Sequence, residues 1–83
     1  MSIYNVKYSV DNKFLLSCGE DRKVHIYSTI DYQEINTLSD FKDSVWILAF
    51  SDDNKTLAVG GADKVLRIYD WNHKKLKNSL KYD

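Results

Sequence analysis

The side chains best suited to metal binding or catalysis are two histidines and one cysteine. His25 and His73 lie far apart in the sequence, and neither has a cysteine or glutamate at metal-ligand spacing. Cys18 lies in an apolar segment, so we expect a buried and unreactive thiol. No nucleophile stands beside a base in a recognisable motif, and the sequence has no glycine-rich phosphate loop. We therefore expect no catalytic centre, no metal and no cofactor.

Oxygen-rich clusters occur twice, as Asp11-Asn12 and as Asp52-Asp53-Asn54. Calcium loops space such ligands more widely and close with a glutamate, and neither cluster has that spacing. Asp and Asn also favour tight turns, where asparagine tolerates the left-handed conformation. We therefore interpret both clusters as solvated turns.

The C-terminal segment is basic, with one histidine and four lysines: His73, Lys74, Lys75, Lys77 and Lys81. It suits contact with RNA or an acidic partner, or a soluble strand at a sheet edge. The edge strand is the simpler interpretation, because 12 basic and 12 acidic residues cancel and give no overall attraction to nucleic acid or anionic lipid. We do not expect nucleic acid or a membrane as a partner.

The length of 83 residues allows at most one small domain. A single cysteine excludes a disulfide framework, and the N-terminus has no secretory apolar region. Both features favour an intracellular, cytoplasmic protein and leave a nuclear one open. No apolar run reaches the roughly 18–20 residues of a membrane span. Because Val, Ile, Thr and aromatic residues are common while Ala and Glu are scarce, the composition predicts an all-β protein of short strands.

The chain repeats itself with an offset of 42 residues. Residues 3–41 lie over residues 45–83 without a gap, and 11 of the paired positions are identical. The identities fall at turns and at alternating apolar positions, among them Ser9/Ser51, Asp11/Asp53, Asn12/Asn54, Gly19/Gly61, Asp21/Asp63 and Tyr27/Tyr69. Such a repeat predicts two copies of one supersecondary unit.

Each unit is predicted to contain four strands. They span residues 3–8, 14–18, 23–28 and 32–38 in the first unit and 44–50, 56–60, 65–70 and 75–80 in the second. The first strand of each unit is apolar on both faces, so we expect burial on both sides. The last strand of the second unit alternates lysine with leucine or neutral residues, which is typical of a solvated sheet edge.

This order, from a buried strand to a polar edge strand, is typical of a β-propeller blade, whose inner strand lies near the axis and whose outer strand faces water. A blade with two apolar faces must stack on neighbours, and three or more units are usually needed. Two units leave apolar faces uncovered, so we expect those faces to bind another copy of the chain or further blades of a longer propeller.

The repeat resembles the WD40 family over essentially the whole chain. In the second unit, Ser51–Lys55 is similar to the family's Ser-Pro-Asp-Gly-Lys turn, and Leu57–Asp63 is similar to its Leu-Ala-Ser-Gly-x-x-Asp segment. Arg67–Asp70 is similar to the closing strand that ends in Trp-Asp. The first unit is similar at Ser9–Lys13, Leu15–Asp21 and Ile26–Ser28. The resemblance implies an all-β fold of two four-stranded antiparallel blades, at residues 1–41 and 42–83, that form part of a larger or oligomeric β-propeller.

The resemblance is incomplete at the hydrogen-bonded tetrad of His, Asp, Ser or Thr, and Trp that belongs to a WD40 blade. Tyrosines replace the tryptophan, and Asp40-Phe41 replaces the family's Gly-His pair. The resemblance still implies that Asp21 and Asp63 accept backbone N–H groups in their turns. Around Asp21, Ser17 and Tyr27 are expected to complete part of the tetrad.

The resemblance also implies contact residues on the propeller rim: Tyr4, Glu20, Phe41, Lys42, Ser44 and Trp46. Tyr and Trp are common anchors of protein contacts because they cover a large area at low entropic cost. Two alternatives stay open. The rings of Tyr4 and Trp46 can instead pack between blades, and Phe41 can instead fill the space of the missing histidine.

We therefore expect a non-catalytic WD40-repeat module or scaffold that binds other proteins through the propeller rim and blade faces, and that self-associates to complete a propeller. The alternative is a homo-oligomeric propeller with a lectin-like site between blades, in which Trp46, Tyr4 and the Asp/Asn loops would form the pocket. The sequence lacks the groups that an enzyme would need.

Overall fold

The structure is a computed structural model that describes residues 2–81, and these residues form two four-stranded antiparallel sheets. The strands are β1 (Ile3–Tyr8), β2 (Phe14–Gly19), β3 (Val24–Ser28), β4 (Glu34–Leu38), β5 (Val45–Phe50), β6 (Thr56–Gly61), β7 (Val65–Asp70) and β8 (Lys75–Lys81). Each sheet is a meander in which consecutive strands are neighbours, and we call β1–β4 sheet 1 and β5–β8 sheet 2. The predicted all-β fold is confirmed. Residues 2–81 contain no helix with the length and apolarity to cross a membrane.

The predicted strands match the observed ones within one or two residues at each end. The largest difference is at β4, which begins at Glu34 instead of residue 32. Tyr32 lies in the β3–β4 turn with a φ of 56°, and its N–H donates to the carbonyl of Ser28 at 2.8 Å. Because a left-handed residue cannot continue a strand, the turn extends two residues further than its sequence indicated.

The turns repeat in conformation as well as in position. Between residues 2 and 81, six residues other than glycine have positive φ, and they form three pairs separated by 42 residues: Asn12/Asn54, Arg22/Lys64 and Tyr32/Lys74. Only the asparagines were predicted, because asparagine tolerates this region better than arginine, lysine or tyrosine. The other two pairs show that the backbone path repeats where the residue type does not.

A β-bulge begins the inner strand of each sheet. In sheet 2 the pairing of β5 with β6 shifts between Val45 and Ile47, so that Trp46 is the extra residue. Gly61 lies opposite this bulge, and a Cβ atom there would come within 2.1 Å of the carbonyl oxygen of Ser44. The same arrangement occurs around Gly19 in sheet 1. The glycine shared by the two units is therefore required by the close approach of the bulged strand.

The core lies between the two sheets. It contains apolar residues of β2 and β3 on one side and of β5, β6 and β7 on the other: Leu16, Cys18, Val24, Ile26, Val45, Leu48, Leu57, Val59 and Tyr69. β5 packs against both β1 and β2. We call this contact between the facing sides of the sheets the junction, and we call the opposite side of each sheet its outer flank.

Aromatic rings close one corner of the junction. Trp71 is 2% exposed and makes edge-to-face contacts with Phe14 of sheet 1 at 5.4 Å and with Phe50 of sheet 2 at 5.0 Å. The ammonium group of Lys74 lies 3.8 Å from the centre of the Trp71 ring. The sequence placed Trp71 in a loop and did not indicate that it joins the sheets.

The prediction that both inner strands are buried on two sides is wrong for this chain. Five of the six residues of β1 are exposed. In β5, Val45 and Leu48 are buried at the junction, whereas Trp46 and Ile47 are exposed. The reason is that sheet 1 covers one side of sheet 2, while nothing in the described chain covers the outer flank of sheet 1.

Candidate functional site

The predicted contact residues lie along one edge of the two sheets, which we call the upper edge. It comprises the starts of β1 and β5, the β2–β3 and β6–β7 turns, and the loop over residues 39–44. The register places these segments together, because Ile3 pairs with Gly19 and Val24 pairs with Leu38. The opposite edge, which carries the turns at residues 9–13 and 51–55, is the lower edge.

Tyr4 and Trp46 occupy the two bulges at this edge. The two residues are 48% and 49% exposed, so each is partly covered by protein and partly open to solvent. The side-chain amide of Asn5 donates to the carbonyl of Trp46 at 3.3 Å and ties the two inner strands together beside the bulges. A bulge leaves its extra residue out of the ladder and redirects its side chain, which explains why both rings reach the surface.

The polar residues of the predicted rim have defined positions. Glu20 is exposed, and its carboxylate accepts the N–H of Ser2 at 2.7 Å, which holds the start of the chain against the β2–β3 turn. Lys42 is exposed, and its backbone N–H points to the carboxylate of Asp63 at 3.5 Å. Ser44 is half-buried, and its carbonyl accepts the N–H of Ala62 at 2.9 Å.

Phe41 is the one predicted contact residue that is buried. Its ring lies 6.3 Å from the ring of Tyr69, and the guanidinium of Arg67 lies over it at 5.2 Å. These contacts correspond to the structural alternative that the sequence left open for this residue. Phe41 therefore adds little exposed area to the upper edge.

The aspartates of the two turns have the expected backbone partners and an unexpected side-chain partner. Asp21 accepts the N–H of Lys23 at 3.2 Å, and Asp63 accepts the N–H of Val65 at 3.1 Å, as predicted. The side-chain partner of Asp21 is His25, at 2.7 Å, whereas Ser17 and Tyr27 were predicted. The equivalent pair in sheet 2 is Asp63 with Arg67, at 2.7 Å.

The imidazole of His25 lies between two carboxylates. Its second ring nitrogen is 2.7 Å from Glu34 of β4, which also accepts the hydroxyl of Thr37 at 2.6 Å. The hydrogen bonds to Asp21 and Glu34 raise the pKa of His25 above its ordinary value. A protonated His25 thus takes the place in sheet 1 that Arg67 takes in sheet 2.

Sequence reasoning missed three residues of this edge: His25, Arg67 and Asp40. Asp40 accepts the phenol of the buried Tyr69 at 3.1 Å, and burial raises the pKa of Tyr69 well above its usual range, so the phenol remains a donor. The signal for the first two was present, because the 42-residue offset aligns His25 with Arg67, four residues after the matching aspartates. The Asp40 contact had no comparable signal.

A cavity of about 630 Å3 lies at the lower edge, far from the aromatic rings of the upper edge. It is lined by Lys13, Phe14, Ser28, Thr29, Ile30 and Ile35. Neither Tyr4 nor Trp46 borders it, so it does not form the lectin-like pocket that was the alternative expectation. Within residues 2–81, no three His, Cys, Asp or Glu side chains are grouped to hold a metal ion.

The two sheets define the class of protein. Two four-stranded meanders with the same bulges, the same left-handed turn positions and an apolar contact between their faces are two consecutive blades of a β-propeller. A family model described as "WD domain, G-beta repeat" matches residues 1–28 and 32–70. The chain belongs to the WD40 repeat family, and the resemblance found in the sequence is confirmed.

Curated relatives match most of this chain with a small part of their own length. Eukaryotic translation initiation factor 3 subunit I from Drosophila ananassae and from Drosophila melanogaster are each 26% identical over 69 residues, which are 83% of this chain and 21% of the relative. Protein HIR1 from Phaeosphaeria nodorum is 29% identical over 70 residues, which are 84% of this chain and 7% of the relative. The chain spans about a fifth of the translation-factor relatives.

Solved structures confirm the fold. The structure of U3-55K and the crystal structure of RRP9 WD40 repeats each superpose with a TM-score of 0.92 over 99% of this chain, at 18% identity. The matched region is 27% of the first structure and 26% of the second. At this identity the match concerns the fold alone.

Proposed function

We propose that this chain is a non-catalytic interaction module that binds other proteins through the upper edge of its two blades. A WD40 repeat domain is typical of interaction scaffolds, and the relatives include a protein named as a subunit of a translation initiation factor. We propose residues 1–41 and 42–83 as the two blade units, since each range holds the four strands of one sheet. An intracellular, cytoplasmic location is proposed with this function, supported by the single cysteine.

The observation that carries the proposal is the pair of bulged aromatic residues. Tyr4 and Trp46 hold equivalent positions on adjacent inner strands, and each residue is about half exposed on a backbone that a bulge and a glycine hold in place. An aromatic ring that is already ordered loses little entropy when a partner covers it. The two rings would therefore serve as anchors of one contact surface.

Charged groups of both signs surround the rings. Lys42, in the loop between the sheets, and Glu20, in the β2–β3 turn, are both exposed at this edge. Such groups at the border of an aromatic patch favour a protein partner with a mixed polar surface. We include Ser44 in this surface because it lies two residues before the bulged Trp46.

The absence of catalysis is proposed from the positions of the reactive side chains. The imidazole of His25 is held by two carboxylates, and that of His73 is held by Asp70 at 2.8 Å on the other sheet. Cys18 is buried at the junction, and burial raises the pKa of its thiol to about 11. No base is therefore positioned to activate this thiol among the described residues.

Site-specific photo-crosslinking in the cells that make the protein tests this proposal. A photoreactive amino acid replaces Lys42 at the upper edge, and in a matched control it replaces Lys77, which is exposed on β8. We expect a discrete protein adduct from position 42, and we expect its yield to fall at least tenfold when Tyr4 and Trp46 are both changed to alanine.

Folding of each variant is checked by far-UV circular dichroism. Equal adducts from positions 42 and 77, or an adduct from position 42 that survives the double alanine change, would contradict binding through the upper edge. An adduct from position 77 alone would move the contact to the outer strand.

A further inference from the structure

The lower edge carries two turns with the same internal hydrogen bonds. In Ser9–Lys13 the serine hydroxyl and the N–H of Lys13 both donate to one carboxylate oxygen of Asp11. In Ser51–Lys55 the serine hydroxyl and the N–H of Lys55 donate in the same way to one oxygen of Asp53. The serine bonds lower the pKa of both Asp11 and Asp53, so both side chains are carboxylates at neutral pH and can accept further bonds.

One residue of the second turn bridges the junction. The side-chain amide of Asn54 donates to the second oxygen of Asp11 at 3.0 Å and accepts the N–H of Val10 at 3.1 Å. These two bonds join neighbouring blades, and one of them is made to a charged group. We call this pair of bonds the Asn54 clip.

Both halves of an equivalent clip are present at the outer ends of the blade pair. Asn12 matches Asn54 in the repeat, has nearly the same φ (61° against 63°) and is exposed. Asp53 matches Asp11 and uses one oxygen within its turn. Among residues 2–81, the amide of Asn12 and the second oxygen of Asp53 have no partner in another residue.

The outer flank of sheet 1 repeats the side of sheet 2 that is buried at the junction. Cross-strand pairing groups Val6 with Ser17 and His25, and groups Leu48 with Val59 and Arg67. Leu48 is 1% exposed because sheet 1 covers it, whereas Val6, at the same position of the repeat, is 52% exposed. The difference comes from the covering sheet, since the strand pairing is the same.

The outer flank of sheet 2 repeats the side of sheet 1 that is buried at the junction. Ile26 and Leu38 lie on that side of sheet 1, and their counterparts in the repeat are Ile68 and Leu80. The pairing of β6, β7 and β8 places both counterparts on the outer flank of sheet 2. Leu80 is 54% exposed, whereas Leu38 is buried. The two outer flanks therefore carry the two different halves of one contact.

We propose that a second copy of this chain docks head to tail, with the outer flank of its sheet 1 on the outer flank of sheet 2 of the first copy. In this contact, the side-chain amide of Asn12 in the second copy donates to Asp53 of the first copy. This bond is equivalent to the one from Asn54 to Asp11 within one chain. The contact is heterologous, so each copy keeps one flank open for the next copy, and addition continues until a ring closes. This inference goes beyond the proposed binding at the upper edge and uses different residues.

The contact between copies is weaker than the junction. The aromatic corner of the junction joins Phe14 to Trp71, and the matching residues on the outer flanks are Thr56 and Thr29. Two threonines provide far less apolar area than two aromatic rings. We therefore expect an association that depends on protein concentration and reverses on dilution.

Two flank variants test the direction of docking. Val6→Arg introduces a charge on the outer flank of sheet 1, and Leu80→Arg introduces one on the outer flank of sheet 2. Both positions are about half exposed, so we expect both variants to fold. Sedimentation velocity and light scattering over a concentration series should show the wild-type chain in multiples of 9.7 kDa. Each variant alone should stay monomeric, whereas an equal mixture should form a dimer and nothing larger, because the intact flank of each variant complements the other.

A pair of glycine variants tests the clip. Asn12→Gly keeps the left-handed turn, because glycine adopts positive φ freely, but it removes the amide that would reach the second copy. We expect association to weaken by roughly tenfold, the value for loss of a hydrogen bond to a charged group. The matched control, Asn54→Gly, breaks the clip within the chain, so it should lower the urea midpoint and leave the association constant within about twofold.

Several results would overturn the inference. A wild-type chain that is monomeric at all concentrations excludes docking between copies. Dimers of Leu80→Arg alone would show an isologous contact between two sheet 1 flanks, and unchanged association of Asn12→Gly would exclude the clip. None of these results bears on the upper edge. Both arginine variants retain Tyr4 and Trp46, and with the photoreactive amino acid at position 42 they should still crosslink as a test of the proposed function.

Discussion

Replacing Trp71 by alanine is expected to destabilise the protein more than replacing Trp46, the other tryptophan of the chain. Trp71 is 2% exposed, and its ring touches Phe14 of sheet 1 and Phe50 of sheet 2 at the same time. The substitution therefore removes a buried side chain and also loosens the junction between the two sheets. The other tryptophan, Trp46, is half exposed and offers a control of the same residue type.

The magnitude follows from the area that each ring removes from water. A tryptophan that is almost wholly buried removes up to about 250 Å2, which corresponds to about 6 kcal/mol at roughly 25 cal/mol per Å2. Measured losses for Trp to Ala in protein cores are about 3–5 kcal/mol, so we expect about 4 kcal/mol for Trp71→Ala. Trp46→Ala removes about half that buried area and should cost about 2 kcal/mol.

Urea unfolding followed by far-UV circular dichroism measures both losses. A chain of this size typically has about 4–12 kcal/mol of folding free energy, so Trp71→Ala should remove a large share of it and leave Trp46→Ala clearly folded. Trp71→Phe should recover part of the loss, because a smaller ring can keep some contact with Phe14 and Phe50. A free-energy loss for Trp71→Ala no larger than that for Trp46→Ala would show that the aromatic corner contributes nothing to the junction.

Two further predictions concern the pH response and the bulge. Because its carboxylate partners raise the pKa of His25, its contribution to stability is complete below the ordinary value of 6.5 and is lost as pH rises through the raised value. His25→Arg, which copies Arg67, should remove this pH dependence of stability. Urea midpoints of the wild type and the variant, measured below and well above pH 6.5, test this. The same pH response in both proteins would contradict the prediction. Gly61→Ala places a methyl group 2.1 Å from the carbonyl oxygen of Ser44. We therefore expect the free energy of unfolding to fall by about 1–3 kcal/mol, which a lower Tm would show. An unchanged Tm would disprove the close approach.

Strand positions were predictable because the relevant signals are local. Alternation of apolar and polar residues locates a strand, and the paired Asp-Asn segments locate the turns, so the eight strands were found within one or two residues. The exceptions, such as the extended turn at Tyr32, arise where an unsuited residue adopts positive φ. In that turn the N–H of Tyr32 donates to the carbonyl of Ser28, a contact that the residue type does not indicate.

The contacts of the upper edge were predictable only in part. The backbone bonds of Asp21 and Asp63 follow from the turn itself, and both were found. The side-chain partners depend on which residues the turn brings back to the aspartate, and those are His25 and Arg67. The burial of Phe41 likewise depends on Tyr69, which lies 28 positions further along the chain.

Two similar halves show where the information in the sequence ends. The amino-acid sequence alone determined that this protein is a tandem repeat of a four-stranded unit, because a repeated pattern of apolar residues and turn residues produces the same backbone twice. It did not decide which of two equivalent surfaces is buried. Leu48 and Val6 occupy the same position of that unit, yet one is covered and the other is exposed. Burial is a property of the neighbour and not of the strand, and only the tertiary structure shows that sheet 2 has such a neighbour on this side and sheet 1 does not.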